Sequence, residues 1–280
     1  MRVTTDPASG GVETAGMSQI VIEGVRHQYR PPRGKPVLAL EDVSLSVGTR
    51  EFVALLGPSG CGKSTLLYLM GGFLPIETGR ILIDGKPVAG PGPDRGIVFQ
   101  HFALFPWKTV RANILYGLER QGMKRALREK RAQDFIDLVG LTGFEDSFPS
   151  QLSGGMKQRT ALARTLAFDP KILLMDEPFG ALDALTRRNL QDELLRIWAE
   201  LKKTVIFVTH SIEEAIYLAD RIVVMTYRPG TVKRDMLVEL PRMRDPSAPE
   251  FNALKRELGQ LVMEEQQRHH EAEIKSAAVD

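Results

Sequence analysis

A single cysteine, Cys61, stands in a chain of 280 residues, so no disulfide framework can hold this protein together. Net charge is almost absent: 37 Lys and Arg against 35 Asp and Glu leave +2, too little to draw the chain to nucleic acid. No apolar run approaches the roughly 18 residues that a membrane-spanning helix needs, and the chain is not expected to cross a bilayer by itself. Internal repeats and low-complexity tracts are missing as well. A composition of 43% hydrophobic and 26% charged residues, with 25 Gly and 17 Pro, excludes a disordered, collagenous or coiled-coil chain. What remains is one large domain or two small ones, long enough to bury a substantial core without staples.

Structure-forming patterns fade at both ends. Met1–Ser18 holds Pro7, Gly10 and Gly11 and few large apolar residues. It reads as a flexible lead, neither a secretory signal nor a transit peptide. From Pro249 an amphipathic helix is expected, with Phe251, Leu254, Leu258, Leu261 and Val262 at helical spacing, turning polar at Glu264, Glu265, Gln266 and Gln267. That helix docks either on its own domain or on a partner. His269, His270 and Glu271 could bind a metal but read better as a solvated tail.

Between the ends, strand and helix patterns alternate. Glu51–Leu56, Lys171–Met175 and Thr204–Val208 are short apolar runs suited to strands buried on both faces of a parallel sheet. Helical stretches follow them at Lys63–Met70, Leu185–Leu201 and Ile212–Ala219. Ile20–Val25 and Leu38–Val47 alternate in polarity, as antiparallel strands do. From His101 to about Ala167 the period is helical, clearest over Arg125–Val139. The expected fold is α/β, a nucleotide-binding core with a mainly helical insert.

Chemistry enters with Gly57-Pro58-Ser59-Gly60-Cys61-Gly62-Lys63-Ser64-Thr65, which follows the first apolar strand and opens a helix, in the context a phosphate-binding loop requires. Its glycines let successive backbone N–H groups turn toward phosphate oxygens, and the helix N-terminus adds partial positive charge. Lys63 is expected to reach the β- and γ-phosphates of a nucleoside triphosphate, and the Ser64 hydroxyl to ligate Mg²⁺. Cys61 is a loop residue here with no redox role. A second motif, Ile172–Met175 followed by Asp176-Glu177-Pro178, puts an acidic pair at the carboxyl edge of the sheet. Asp176 can hold Mg²⁺ through water, and Glu177 can polarise an attacking water. His210, directly after the third buried strand, ends on that same edge and could contact the γ-phosphate.

With these residues in view, Leu152-Ser153-Gly154-Gly155-Met156-Lys157-Gln158-Arg159 resembles the signature motif of ABC-transporter ATPase subunits. The resemblance covers about Ile20 to Arg244. It implies a P-loop NTPase (RecA-like) core carrying an antiparallel β subdomain and a helical subdomain at about 101–167, within one ATPase domain at 19–244 followed by a C-terminal helix and polar tail at 245–280. It also implies that Gln100 couples the active site to the helical subdomain and joins Ser64 and Asp176 at the metal. Gly180–Asp183 is similar to the family's D-loop. Tyr29 is the aromatic expected to stack on adenine, with His27 as its rival. Ser153, Gly154 and Gly155 would face the ATP of an opposing protomer, so hydrolysis would require a closed dimer.

Finer features, namely Leu104-Phe105-Pro106-Trp107, Thr109-Val110, Asn113-Ile114, Phe148–Gln151, Arg228-Pro229-Gly230 and Pro241-Arg242, resemble subunits that energise uptake of nitrate, sulfonates, taurine and similar ions. The resemblance implies a cytoplasmic-face, peripheral ATPase on the inner (cell) membrane, working with ATP and Mg²⁺. Its implied partners are a second ATPase subunit, transmembrane permease chains and a periplasmic or extracellular solute-binding protein. The chain ends soon after, and the appended regulatory domain of some sugar-importing relatives is not expected. Phe102–Trp107 is either core or an exposed surface that receives a permease helix. A non-transport ABC ATPase acting on nucleic acid or ribosomes is the alternative, and a kinase or GTPase switch is a third reading. One cassette, one Cys and +2 charge argue against the second; the LSGG segment argues against the third. Two departures from the family pattern stand out: Lys157 where Gln is common, and Gly48-Thr49-Arg50-Glu51 where relatives often carry a second Gly.

Overall fold

A computed structural model describes residues 18–277, with side chains to residue 270. Apart from Ser18, which opens a strand, the expected N-terminal lead lies outside the described residues. The chain begins with β1 (Ser18–Tyr29), β2 (Val37–Gly48) and β3 (Phe52–Leu56), then α1 (Lys63–Gly71), β4 (Thr78–Ile83), β5 (Lys86–Pro87) and β6 (Arg95–Val98). Helices α2 (Val110–Arg120), α3 (Arg125–Leu138) and α4 (Gly154–Ala167) follow, with a 3-10 turn at Pro149–Gln151. The remainder runs β7 (Ile172–Asp176), α5 (Ala184–Leu201), β8 (Thr204–Thr209), α6 (Ile212–Leu218), β9 (Arg221–Met225), β10 (Val232–Leu237) and α7 (Pro249–Ala277).

The strands form two sheets, one ordered β2-β1-β4-β5 and one ordered β10-β9-β3-β8-β7-β6. The first is antiparallel throughout, as the alternating pattern of β1 and β2 predicts. In β1 the inward period breaks between Ile22 and Val25, where the register shifts and Gly24 takes φ +56°. The second sheet is parallel from β9 through β6, with β10 added antiparallel at one edge.

This parallel sheet is apolar on both sides because each strand divides its residues between two cores. Phe52, Ala54 and Leu56 of β3, with Val205 and Phe207 of β8, join the core built by α2–α7. Val53 and Leu55, with Ile206 and Val208, join the core shared with α1 and the antiparallel sheet. Full burial of a side chain such as Phe52, Phe207 or Leu55 is worth about 1.5–3 kcal/mol each.

The helices begin where short polar caps allow. Thr109, Ser153, Asp183 and Ser211 each accept a hydrogen bond from the backbone N–H three residues on. Helix α7 lays Phe251, Leu258 and Val262 into the core of its own domain. Its polar second half is also helical, to Ala277. The tight turn before β3 uses Arg50 in the left-handed region, φ 66°, where a second glycine would fit without strain. The Arg50 N–H donates to Thr204 Oγ1 at 2.7 Å, which ties that turn to the start of β8.

Candidate functional site

Because β3, β7 and β8 are parallel, their carboxyl ends lie on one edge, and the loops leaving them meet there. The Gly57–Gly62 loop leaves β3 and folds tightly, with Gly60 and Gly62 at φ +76° and +97°. A Cβ at Gly62 would sit 2.5 Å from Leu40 Cδ2 and 2.9 Å from the Ala39 carbonyl, so only glycine fits that turn. Lys63 is buried, its Nζ donating to the Gly57 and Pro58 carbonyls at 2.8 and 2.9 Å. Cys61 is fully buried behind the loop, and burial pushes its thiol pKa up, away from the reactive thiolate.

At the end of β7, the Ser64 hydroxyl donates to Asp176 Oδ1 at 2.7 Å. The other carboxylate oxygen, Oδ2, accepts from the Tyr68 hydroxyl, also at 2.7 Å. Burial and the adjacent Asp176 carboxylate together push the Tyr68 phenol well above its usual range. Sequence reasoning missed Tyr68, which reads as an aromatic core residue. Its place one helical turn after Ser64, on the same face of α1, is the signal that could have found it. The hydroxyl of Ser64 and the carboxylate of Asp176 are hard oxygen donors side by side, a pair that fits Mg²⁺, an ion that takes one or two protein oxygens plus phosphate and water.

Glu177 follows Asp176 in the left-handed region at φ 43°, a strained position of the kind that collects at functional sites. Its N–H donates to the Val208 carbonyl at 3.0 Å, and its Oε2 lies 3.0 Å from His210 Nδ1 at the end of β8. His210 is 57% exposed and Glu177 only 19%, so the imidazole stands outward and the carboxylate inward. Gln100 leaves β6, the next parallel strand, and its Nε2 faces Gly180, 3.5 Å from where a Cβ would lie. It makes no hydrogen bond to Ser64 or Asp176 among the described residues. Gln100 is therefore brought near Glu177 and the Gly180 turn rather than onto the Ser64–Asp176 pair.

Tyr29, at the end of β1, is 42% exposed and its hydroxyl lies 3.1 Å from Thr65 Oγ1. His27 is buried at 5% exposure, edge-on to the Tyr29 ring with centroids 4.8 Å apart. Of the two rivals for a base, only Tyr29 presents a ring to solvent. Tyr29, Ser59, Lys63, Ser64, Glu177 and Arg228 line one open cleft of about 200 Å³.

The signature residues line a different cleft. Ser153 and Gly155 open onto a recess of about 290 Å³ with Thr186 and Asn189 of α5. Ser153 and Gly154 are exposed, and a Cβ at Gly155 would meet Thr186 Cγ2 at 2.8 Å. Asp183 caps α5 by accepting from Thr186 N at 2.9 Å, and these amide bonds hold its carboxyl below the usual range. The structure thus brings the phosphate loop, Asp176, Glu177 and His210 to one edge. It does not bring Ser153, Gly154, Gly155 or Asp183 into the cleft that the phosphate loop lines.

Comparison with known proteins decides between readings of this edge. Residues 40–180 match the protein family described as ABC transporter. An uncharacterized ABC transporter ATP-binding protein of Methanocaldococcus jannaschii is 52% identical over 232 residues, 83% of this chain and 87% of the relative. The chain belongs to the ABC transporter ATP-binding family. As a cassette of that family it binds ATP and is an ATPase coupled to transport. The nitrate import ATP-binding protein NrtD of Synechocystis is 49% identical over 205 residues, 73% of this chain and 77% of the relative. The taurine import ATP-binding protein TauB of Burkholderia pseudomallei is 51% identical over 216 residues, 77% and 83% of the two. A solved ATP-binding cassette, a dimer in a post-hydrolysis state bound to ADP and Pi, superimposes with a TM-score of 0.70 at 33% identity, covering 79% of this chain and all of that one. None of the described helices is long and apolar enough to cross a membrane.

Proposed function

We propose that this cassette energises uptake of a small organic or inorganic ion, such as nitrate, taurine or another sulfonate. The single observation that carries the direction is its 49–51% identity to relatives named for nitrate and taurine import. In this reading two copies close on two ATP molecules, each phosphate loop facing the Ser153-Gly154-Gly155 segment of the opposite chain. The exposure of Ser153 and Gly154, on a cleft apart from the phosphate loop, supports that division of labour.

Within one chain, Lys63 and the Gly57–Gly62 amides hold the phosphates, and Tyr29 stacks on the base. Ser64 and Asp176 would hold Mg²⁺, with Tyr68 orienting the carboxylate; the ion would neutralise charge on the phosphate oxygens. Glu177 takes a proton from the attacking water, and His210, hydrogen-bonded to it, fixes its orientation at the cleft mouth. Gln100, between Glu177 and the helical region, reports the state of the site to α2–α4.

The cassette works from the cytoplasmic face of the membrane, docked on permease chains that receive solute from a binding protein. The docking surface is the aromatic turn after Gln100. Phe102 and Leu104 lean on the core, while Trp107 is 71% exposed beside Phe105, whose ring also meets Tyr116. Asn113, fully buried, pins that turn with hydrogen bonds to Phe105 N and to the carbonyls of Phe105, Lys108 and Thr109. A tagged chain drawn from gently solubilised native membranes should bring down a multi-span permease, and Trp107→Ala should weaken that recovery. Recovery only from the soluble fraction, with nucleic acid or ribosomal proteins, would sink the importer reading and leave the ATPase standing.

A further inference from the structure

The loop between β9 and β10, Thr226–Thr231, sits against the phosphate loop. Thr231 N donates to Thr226 Oγ1 at 2.9 Å and Thr226 Oγ1 donates to the Pro229 carbonyl at 3.0 Å, so the loop is closed on itself. On one side, Gly230 N donates to the Ala39 carbonyl at 2.9 Å, and a Cβ at Gly230 would fall 2.0 Å from the Cys61 carbonyl oxygen. At Gly230 the two loops therefore meet with no room for a side chain. Arg228 Nη2 reaches the Gly60 carbonyl at 3.4 Å, its one hydrogen bond among the described residues. The guanidinium has five donors, so the rest have no hydrogen-bond partner among the described residues. It is exposed, and it lines the same cleft as Tyr29, Lys63 and Ser64.

The other side of the loop is gripped by α7. Tyr227 N donates to Glu265 Oε2 at 2.9 Å, and the Tyr227 ring meets His269 edge-on at 4.2 Å. Glu265 is 1% exposed, and its Oε1 accepts from Lys233 Nζ at 2.7 Å and Arg268 Nη1 at 3.2 Å. A buried carboxylate fastened to the amide next to Arg228 is a strong anchor for so short a loop, because a charge-assisted hydrogen bond in a buried site is costly to lose.

We propose that Arg228 is a second cationic contact to the phosphate chain of ATP, beside Lys63, and that α7 is the strap that holds it there through Glu265. Arg228 is a binding residue in this account, and Glu265 a positioning residue. The proposal rests on the phosphate-loop cleft being the nucleotide site.

The test is equilibrium titration of ATP with Mg²⁺ into the full chain, as wild type, Arg228→Ala, Arg228→Lys, Glu265→Gln and the double variant Arg228→Ala/Glu265→Gln. One charged hydrogen bond at an exposed rim corresponds to about a tenfold loss of affinity, expected for Arg228→Ala, with partial recovery in Arg228→Lys. Glu265→Gln should weaken binding by a smaller factor, and should have no further effect once Arg228 is gone. Arg228→Ala binding within twofold of wild type overturns the contact. An equal effect of Glu265→Gln with and without Arg228 overturns the positioning role and makes the helix merely structural. A wild-type chain that fails to bind ATP would instead refute the reading of the cleft itself, and the inference with it.

Discussion

Glu177 holds the position on which, in the proposed reading, hydrolysis turns. Strained at φ 43°, mostly buried and 3.0 Å from His210, it is where a water beside the phosphates would give up its proton. Glu177→Gln keeps the shape and removes the base, so turnover should fall by about 10²–10⁴ while ATP remains bound. A steady-state phosphate-release assay beside a nucleotide-binding measurement checks this, and undiminished turnover would remove Glu177 from the role. At this scale the sequence was most legible. The phosphate loop, Asp176, Glu177 and His210 are short, rigidly spaced signals at strand ends, and parallel pairing brings strand ends together. Tyr68 was not legible because an aromatic at helical spacing reads as core, and its hydrogen bond to Asp176 depends on two strands' worth of tertiary packing. Gln100 was legible as a position at the end of a parallel strand, and its amide faces Gly180 in this structure.

Elements show a similar division. Helices that carry caps and a clean apolar stripe, and strands buried on both faces, stood out from the residues alone. Five short or polar strands did not, the two-residue Lys86–Pro87 among them. Arg95–Val98 spans four residues, and Val232–Leu237 is a partly exposed edge whose Lys233, Arg234 and Asp235 break the apolar pattern. Thr78–Ile83 begins polar, and Arg221–Met225 follows α6 so closely that it blends into it. The polar half of α7 has no apolar stripe to mark it in the sequence, because its stabilisation comes from outside: Lys233 of β10 donates to Glu264, Glu265 and the Leu261 carbonyl. That anchor carries a pH dependence. Burial pushes the Glu265 carboxyl up, but its bonds from Lys233 and Tyr227 N outweigh this and hold it below the usual range. The stability it contributes is therefore complete above the ordinary glutamate value, roughly 4.3, and is lost as pH falls through the lower folded value. Denaturant unfolding of wild type and Glu265→Gln should differ at neutral pH and converge toward acid. A difference that persists unchanged into acid would contradict the anchor.

The whole molecule is a cassette divided into a nucleotide edge, a helical region and a strap. The antiparallel sheet supplies Tyr29 and backs the phosphate loop, and the parallel sheet delivers Asp176, Glu177 and His210. The helical region presents the aromatic turn around Trp107, and α7 closes over β9 and β10. The fold and the phosphate-loop edge follow from this one chain; in the proposed reading hydrolysis also needs the Ser153-Gly154-Gly155 segment of a second copy. The transported solute does not follow from the chain, since in this reading it is recognised by the permease and binding protein. The most direct measurement is uptake of labelled taurine, nitrate and an alkanesulfonate by native cells with this chain deleted, then restored as wild type or as Glu177→Gln. The account predicts that energised uptake of one of these ions is lost on deletion and recovered only by the wild-type chain. Unchanged uptake of all three, or recovery by Glu177→Gln, would contradict it.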